Sequence, residues 1–233
     1  MVNRKGSKTM KKTVGVFLLA VVWVLLGQIQ AGDPDPGLPP EPTMHTLEEI
    51  YLKLDGLVPG AIGVGRTGLT QCWDEGGTLT DCADTGQDGE YQAGVAVTPR
   101  FTDNDDGTVR DNLTGLIWLK NANCFNTRTW TDGMSDANLL ADGDCGLTDG
   151  SVAGDWRVPN LKELMSLLDY SQVDLMLPAG HPFTAVEPDD YWTSTTIATS
   201  VKNSAWYVEL DLGKSFNDLK DGLNYVWPVR SAN

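Results

Sequence analysis

Asp103, Asp105, Asp106 and Asp111 gather four carboxylates into one short stretch, and the chemistry they suit first is calcium binding. Calcium takes roughly six to eight oxygens on a flexible loop, which alternating Asp and Asn with a glycine can supply. Asp103-Asn104-Asp105-Asp106-Gly107 resembles the opening of such a loop, although no bidentate glutamate closes it. The same residues also suit an acidic hairpin turn held by Asx side chains. Glu187-Pro188-Asp189-Asp190 is similar to a sugar-and-calcium tetrapeptide, but no Trp-Asn-Asp follows it, and it reads more simply as a loop running into a strand. Zinc is disfavoured because Cys72, Cys82, Cys124 and Cys145 include no tight C-x-x-C pair and the only histidines are His45 and His181. Hydrolytic and phosphoryl-transfer chemistry lack their parts: there is no Ser-His-Asp order and no glycine-rich phosphate loop. Glu163 and Asp169 are six residues apart on one helical stretch, so they face different ways.

The four cysteines instead suggest two disulfides in an oxidising compartment. Each adjacent pair flanks one local loop, which favours Cys72–Cys82 and Cys124–Cys145 over the other two pairings. Compartment is also indicated by the first 31 residues, which read as an export signal. Arg4, Lys5, Lys8, Lys11 and Lys12 form a basic start, Val14 to Leu26 is apolar, and Ala31 offers a small residue for cleavage. At 13 residues the apolar run is short for a membrane span of roughly 20. The formal charge of the whole chain is −15; with five of the 17 basic residues in the signal, twelve remain against 32 acidic ones, a formal −20. Such a surface repels nucleic acid, anionic membranes and sulfated polysaccharide, and admits cations and neutral sugars.

Residues 32–43 are a proline-rich, extended linker. Residues 44–58 read as a short helix in which Thr46 and Glu49 form a capping box. Its Leu47, Ile50, Leu54 and Leu57 suit either a self-association seam, as in a trimer, or docking on the chain's own domain. Residues 59–98 are a Gly/Asp-rich extension, where Asp74-Glu75-Gly76-Gly77 predicts a hairpin clipped by Cys72–Cys82. Beyond it, Asp106-Gly107 predicts a second hairpin and Leu116 to Leu119 a buried strand. Helices are expected over Trp130–Leu140, weakened by Gly133, and from Asn160, which caps with Glu163 and lines Leu161, Leu164, Met165 and Leu168 on one face. Strands are expected over Tyr191–Thr196, Ala205–Leu212 and Tyr225–Val229. In the middle one Trp206, Val208, Leu210 and Leu212 alternate with Tyr207, Glu209 and Asp211. The fold class is α+β: a hairpin, two helices, then antiparallel strands.

Trp118, Trp156 and Trp227 lie in apolar patterns and read as core. Trp192, Trp206, Tyr207 and Tyr225 lie on or beside the last strands, where aromatic faces also stack on sugars and protein partners, and they are the candidate ligand contacts. Arg157 and Arg230 are expected to pair carboxylates or loop carbonyls and so fix loops on the core.

From about Arg100 to the end, a set of segments resembles the Lcl C-terminal domain family, named after a bacterial collagen-like adhesin. They are Arg100-Phe-Thr-Asp-Asn104, Asp106-Gly-Thr-Val109, Asp111-Asn-Leu-Thr-Gly-Leu-Ile-Trp118, Asp155-Trp-Arg-Val-Pro-Asn160, Glu163-Leu164, Tyr191-Trp-Thr-Ser-Thr195, Ala205-Trp-Tyr-Val208 and Val226-Trp-Pro-Val-Arg230. The resemblance implies a C-type-lectin-like domain over 99–233, a shape shared with formylglycine-generating enzymes. It further implies exported and often multimeric binding proteins, some with variable C-terminal strands. The namesake adhesin binds sulfated glycans through a basic surface; this acidic chain departs there. The resulting expectation is an exported, non-catalytic adhesion or ligand-binding module with a protein or glycan partner, with no cofactor beyond the calcium weighed above. Its rivals are a self-associating surface component and an exported enzyme, which would need the reactive cysteines here assigned to disulfides.

Overall fold

The computed structural model describes residues 64–198 and 202–232. The expected signal (1–31), linker (32–43) and helix (44–58) lie outside the described residues, as do positions 59–63 of the extension.

Where the extension is described, it is held by its turn. Strands β1 (Cys72–Trp73) and β2 (Leu79–Thr80) pair antiparallel, with Cys72 opposite Thr80. Asp74 closes the turn: its Oδ1 accepts the amides of Gly76 at 2.9 Å and Thr78 at 2.8 Å. The Cys72–Cys82 disulfide clips this hairpin as expected. A single helical turn, α1 (Asp88–Tyr91), follows. The extension is also tied to the chain that follows it, since the Tyr170 amide donates to the Thr67 carbonyl at 2.7 Å.

Phe101–Asp103 (β3) and Thr108–Asp111 (β4) form the second hairpin, with Phe101 opposite Asp111 and Asp103 opposite Val109. Its turn needs Gly107: φ there is +83°, and the Gly146 carbonyl lies where a Cβ would go. Strand β5 (Ile117–Leu119) is wholly buried and pairs with β4. The chain then forms α2 (Trp130–Leu139), capped by the Thr129 hydroxyl, which accepts the Asp132 amide. Gly133 weakens this helix by propensity but lets it lie against Val226, whose Cγ2 would stand 2.6 Å from an added Cβ. Cys124 and Cys145, on either side of α2, are bonded as expected.

Helix α3 (Leu161–Met165) is short but carries the full reciprocal box: the Asn160 side chain accepts the Lys162 and Glu163 amides, and Glu163 accepts the Asn160 amide at 2.8 Å. Strands β6 (Asp190–Thr196), β7 (Ser204–Glu209) and β8 (Lys214–Leu219) make an antiparallel three-stranded sheet. Strand β9 (Val229–Arg230) returns to β5, giving the order β3-β4-β5-β9 in the other sheet. The architecture is therefore mixed helix and antiparallel sheet, with few helices and two disulfides.

Two differences from the sequence reading have simple causes. The strand expected over Ala205–Leu212 ends at Glu209, because the chain turns there: Gly213 N–H donates back to the Glu209 carbonyl at 3.0 Å. Leu212 consequently sits exposed in the turn instead of facing the core. Strand β8 was not expected at all, and it follows directly from that turn.

The core is aromatic. Trp118, Trp156 and Trp227 are fully buried, as their apolar settings predicted. Trp227 meets Trp118 edge-on at 5.5 Å and Phe183 edge-on at 4.7 Å, and its indole N–H donates to the Leu119 carbonyl at 2.8 Å. A smaller cluster of Ala137, Val158, Trp192, Ala205 and Val226 joins α2 to the β6–β7 sheet.

Candidate functional site

The four carboxylates of the calcium reading do not converge on one point. Asp111 is 0 % exposed and receives a fork from Arg100, Nε to Oδ1 at 2.8 Å and Nη2 to Oδ2 at 3.0 Å. The Leu113 amide and Thr114 hydroxyl donate to the same carboxylate. Asp103 pairs with Lys120 at 2.5 Å, and that hydrogen bond holds its carboxyl below the usual carboxylate range. Asp106 accepts the Thr108 amide and hydroxyl at 3.0 and 2.6 Å. Asp105 occupies a left-handed position at φ +59°. The stretch is thus an Asx-stabilised hairpin in which Asp103, Asp106 and Asp111 are held by partners of their own and Asp105 is exposed. Among the described residues no group of three or more His, Cys, Asp or Glu side chains is placed to hold a metal ion.

Arg157, Arg230 and Glu187, also singled out by sequence, are engaged inside the fold. Arg157 forks onto Glu163 at 2.7 and 2.8 Å, and Arg230 reaches Asp149 at 3.0 Å over the Trp156 ring. Glu187 accepts from Asn123 at 2.9 Å, and Asp190 opens a strand. His181 lies 5.8 Å from the Phe183 ring, and burial lowers its pKa.

The aromatic candidates are not one surface. Trp192 is 1 % exposed, with its indole N–H donating to the Arg128 carbonyl at 2.9 Å, so it has nothing to offer a ligand. Trp206 and Tyr207 are neighbours on β7 and point to opposite faces of the sheet. Tyr225 stands beside Tyr191, ring centroids 5.4 Å apart, at the edge of the core. What the register does bring together is a row across three strands: Trp192 opposite Tyr207, and Tyr207 opposite Phe216. Ring centroids are 6.3 Å and then 6.4 Å apart. Along this row exposure rises from the buried Trp192 through the half-buried Tyr207 to Phe216, which is 47 % exposed. Phe216 belongs to the unexpected strand β8, so sequence reasoning missed it.

Charged residues frame the row on the same face. Asp190 lies opposite Glu209, Glu209 opposite Lys214, and Asp218 opposite Ala205. Burial, with Glu209, Asp189, Asp211 and Asp218 nearby, pushes the Asp190 carboxyl up to about 6. Burial also raises Tyr207, with help from Asp190, Glu209 and Asp218. The face is aromatic at its centre and anionic around it.

A family model described as the Lcl C-terminal domain matches residues 107–230. The chain belongs to the Lcl C-terminal domain family. A search of curated proteins finds no match. In this Lcl C-terminal domain the matched span runs from the turn of the β3–β4 hairpin to the closing strand β9, so it includes the whole aromatic row. The two disulfides of the chain are compatible with an extracytoplasmic location. Among the described residues no helix is long and apolar enough to cross a membrane.

One prediction follows from Asp190. Its folded pKa lies above its unfolded value of 3.8, so the folded state holds the proton more tightly. Stability tied to this group is present below pH 3.8 and is lost as pH rises through about 6. Replacing Asp190 with Asn should stabilise the protein by about 1 kcal/mol at pH 7.5, after discounting for solvent screening. Melting temperature should rise by about 2–4 °C. The gain should vanish at pH 4. His181 titrates in the opposite sense, so the difference between variant and parent across pH 4–8 is the measurement.

Proposed function

We propose that this chain is an exported, non-catalytic binding module that uses a C-type-lectin-like domain to hold a protein or neutral glycan outside the cell. The observation that carries this reading is the Trp192–Tyr207–Phe216 row, which surfaces through Tyr207 and Phe216 on a rigid sheet. Aromatic faces on a pre-organised sheet gain contact at low entropic cost, on either a sugar ring or a protein side chain. The anionic frame favours a neutral or cationic partner over nucleic acid or a sulfated polymer. The basic, apolar N-terminal segment supports export without a stable membrane span after cleavage. A non-catalytic role is supported by the engagement of Asp103, Asp106, Asp111, Asp149 and Glu163 in hydrogen bonds within the fold. Family membership and the α+β arrangement of the described residues support the lectin-like shape.

The test is a screen of the full chain on glycan and protein arrays, with hits measured again by calorimetry. Tyr207→Ala and Phe216→Ala should each weaken binding by about tenfold or more while the circular dichroism spectrum is kept. Hits that bind both variants as tightly as the parent would refute this face, and turnover of an array compound would refute the non-catalytic reading.

A further inference from the structure

We propose that the outer edge of β8 is a homodimer seam, at which a second copy of this chain adds its own β8 antiparallel and joins two sheets into one. This goes beyond the ligand reading and does not depend on it. Among the described residues no strand covers that edge: β8 pairs with β7 alone. The Lys220 amide bonds the Asn203 carbonyl, one register step beyond the Ser204–Leu219 pair. Alternation along an antiparallel ladder then turns the backbone groups of Lys214, Phe216 and Asp218 toward β7 and those of Ser215 and Asn217 outward. Neither Ser215 nor Asn217 has a backbone partner on the outer side among the described residues. An open row of such groups is a template for another strand.

Charge complementarity selects the occupant and the register. Lys214, Phe216 and Asp218 occupy alternate positions on one face, so the edge reads positive, aromatic, negative. Run against itself about a two-fold axis through Phe216, this order is self-complementary. Lys214 falls opposite the copy's Asp218, Phe216 meets its counterpart, and Ser215 and Asn217 exchange hydrogen bonds. A pairing centred on Asn217 instead sets Lys214 against the copy's Lys220, like charge on like, and one centred on Ser215 forfeits the Lys–Asp pairs. Phe216, 47 % exposed in one chain, meets its counterpart edge to edge at the centre of the seam, with its ring face left on the aromatic surface.

The experiment is a charge-swap series on the full chain, read by size exclusion with light scattering and by sedimentation at fixed physiological salt. The parent should be a concentration-dependent dimer. Lys214→Asp and Asp218→Lys should each weaken it by about tenfold, and the double variant should restore it. A second readout fixes the register. Phe216 lies at a non-hydrogen-bonded pair, where Cα atoms approach to about 4.5 Å, within disulfide reach. Phe216→Cys should therefore cross-link two chains in air far faster than Leu223→Cys, a control at an exposed position off the strand. A parent that stays monomeric at millimolar concentration, a double variant no better than the singles, or equal cross-linking at the two positions would overturn the proposal.

Discussion

Asp111→Ala should cost about 3–5 kcal/mol of unfolding free energy, enough to lower the melting temperature by more than 10 °C or to prevent folding. The carboxylate is fully buried, and the Arg100 guanidinium that forks onto it also donates to the Ser166 carbonyl at 2.7 Å. Removing the carboxylate strands a guanidinium in the interior beside the unpaired Leu113 amide and Thr114 hydroxyl. The joint change Arg100→Met with Asp111→Leu should recover much of the loss, because an apolar pair leaves no orphaned charge. Asp105→Asn, at the exposed tip of the hairpin and equally at ease in its left-handed position, should move stability by less than about 0.5 kcal/mol. Chelation with EDTA should leave the parent's melting temperature unchanged, which separates an ion pair from a calcium ligand. A drop on chelation together with a mild Asp111→Ala phenotype would reverse the assignment.

Trp227→Ala should be comparably severe, about 3–5 kcal/mol by chemical denaturation. The side chain is 0 % exposed and touches Trp118, Phe183 and Tyr191, so truncation opens a cavity among rings that cannot collapse into it. Trp227→Phe divides the effect. It keeps most of the packing but deprives the Leu119 carbonyl of its indole donor, and should cost about 1–3 kcal/mol. Loss of the near-ultraviolet circular dichroism bands with retention of the far-ultraviolet signal would show that the aromatic cluster fails first. An alanine variant as stable as the phenylalanine variant would show that the hydrogen bond, not the packing, carries the energy.

Much of this fold was legible because its signals are local. The Asn160–Glu163 capping box and the Asp106-Gly107 turn declare themselves within a few residues, and the two cysteine pairs across loops of 10 and 21, and each is found where expected. Arg157 and Arg230 were read correctly for a similar reason: each sits beside a core tryptophan, where a cation must find a partner. The failures concern burial and long-range register. Four aspartates in one stretch announce negative charge but not that Asp111 turns inward to an arginine while Asp103 turns outward to a lysine. Trp192 and Tyr207 look alike on paper, yet the cover of α2 and Val226 buries the first and leaves the second half open. Strand β8 escaped because Lys214–Leu219 is mostly polar, as suits the edge of a sheet, and carries little of the alternation that marks a half-buried strand. With it went Phe216, the most exposed ring of the candidate surface.

The pairing of β5 with β9 has a consequence for how the molecule comes into being. Trp118 lies beside Val229, and the Trp227 indole reaches a carbonyl 108 positions earlier, so the four-stranded sheet is sealed by a strand made long after its neighbour. Closing so long a loop is entropically slow, and the central ring cluster has no lid until it closes. A chain that is synthesised or translocated from its N-terminus must therefore wait, unfinished and threadable, until residues around 230 have emerged. Losing β9 would leave a domain with an open seam down its middle.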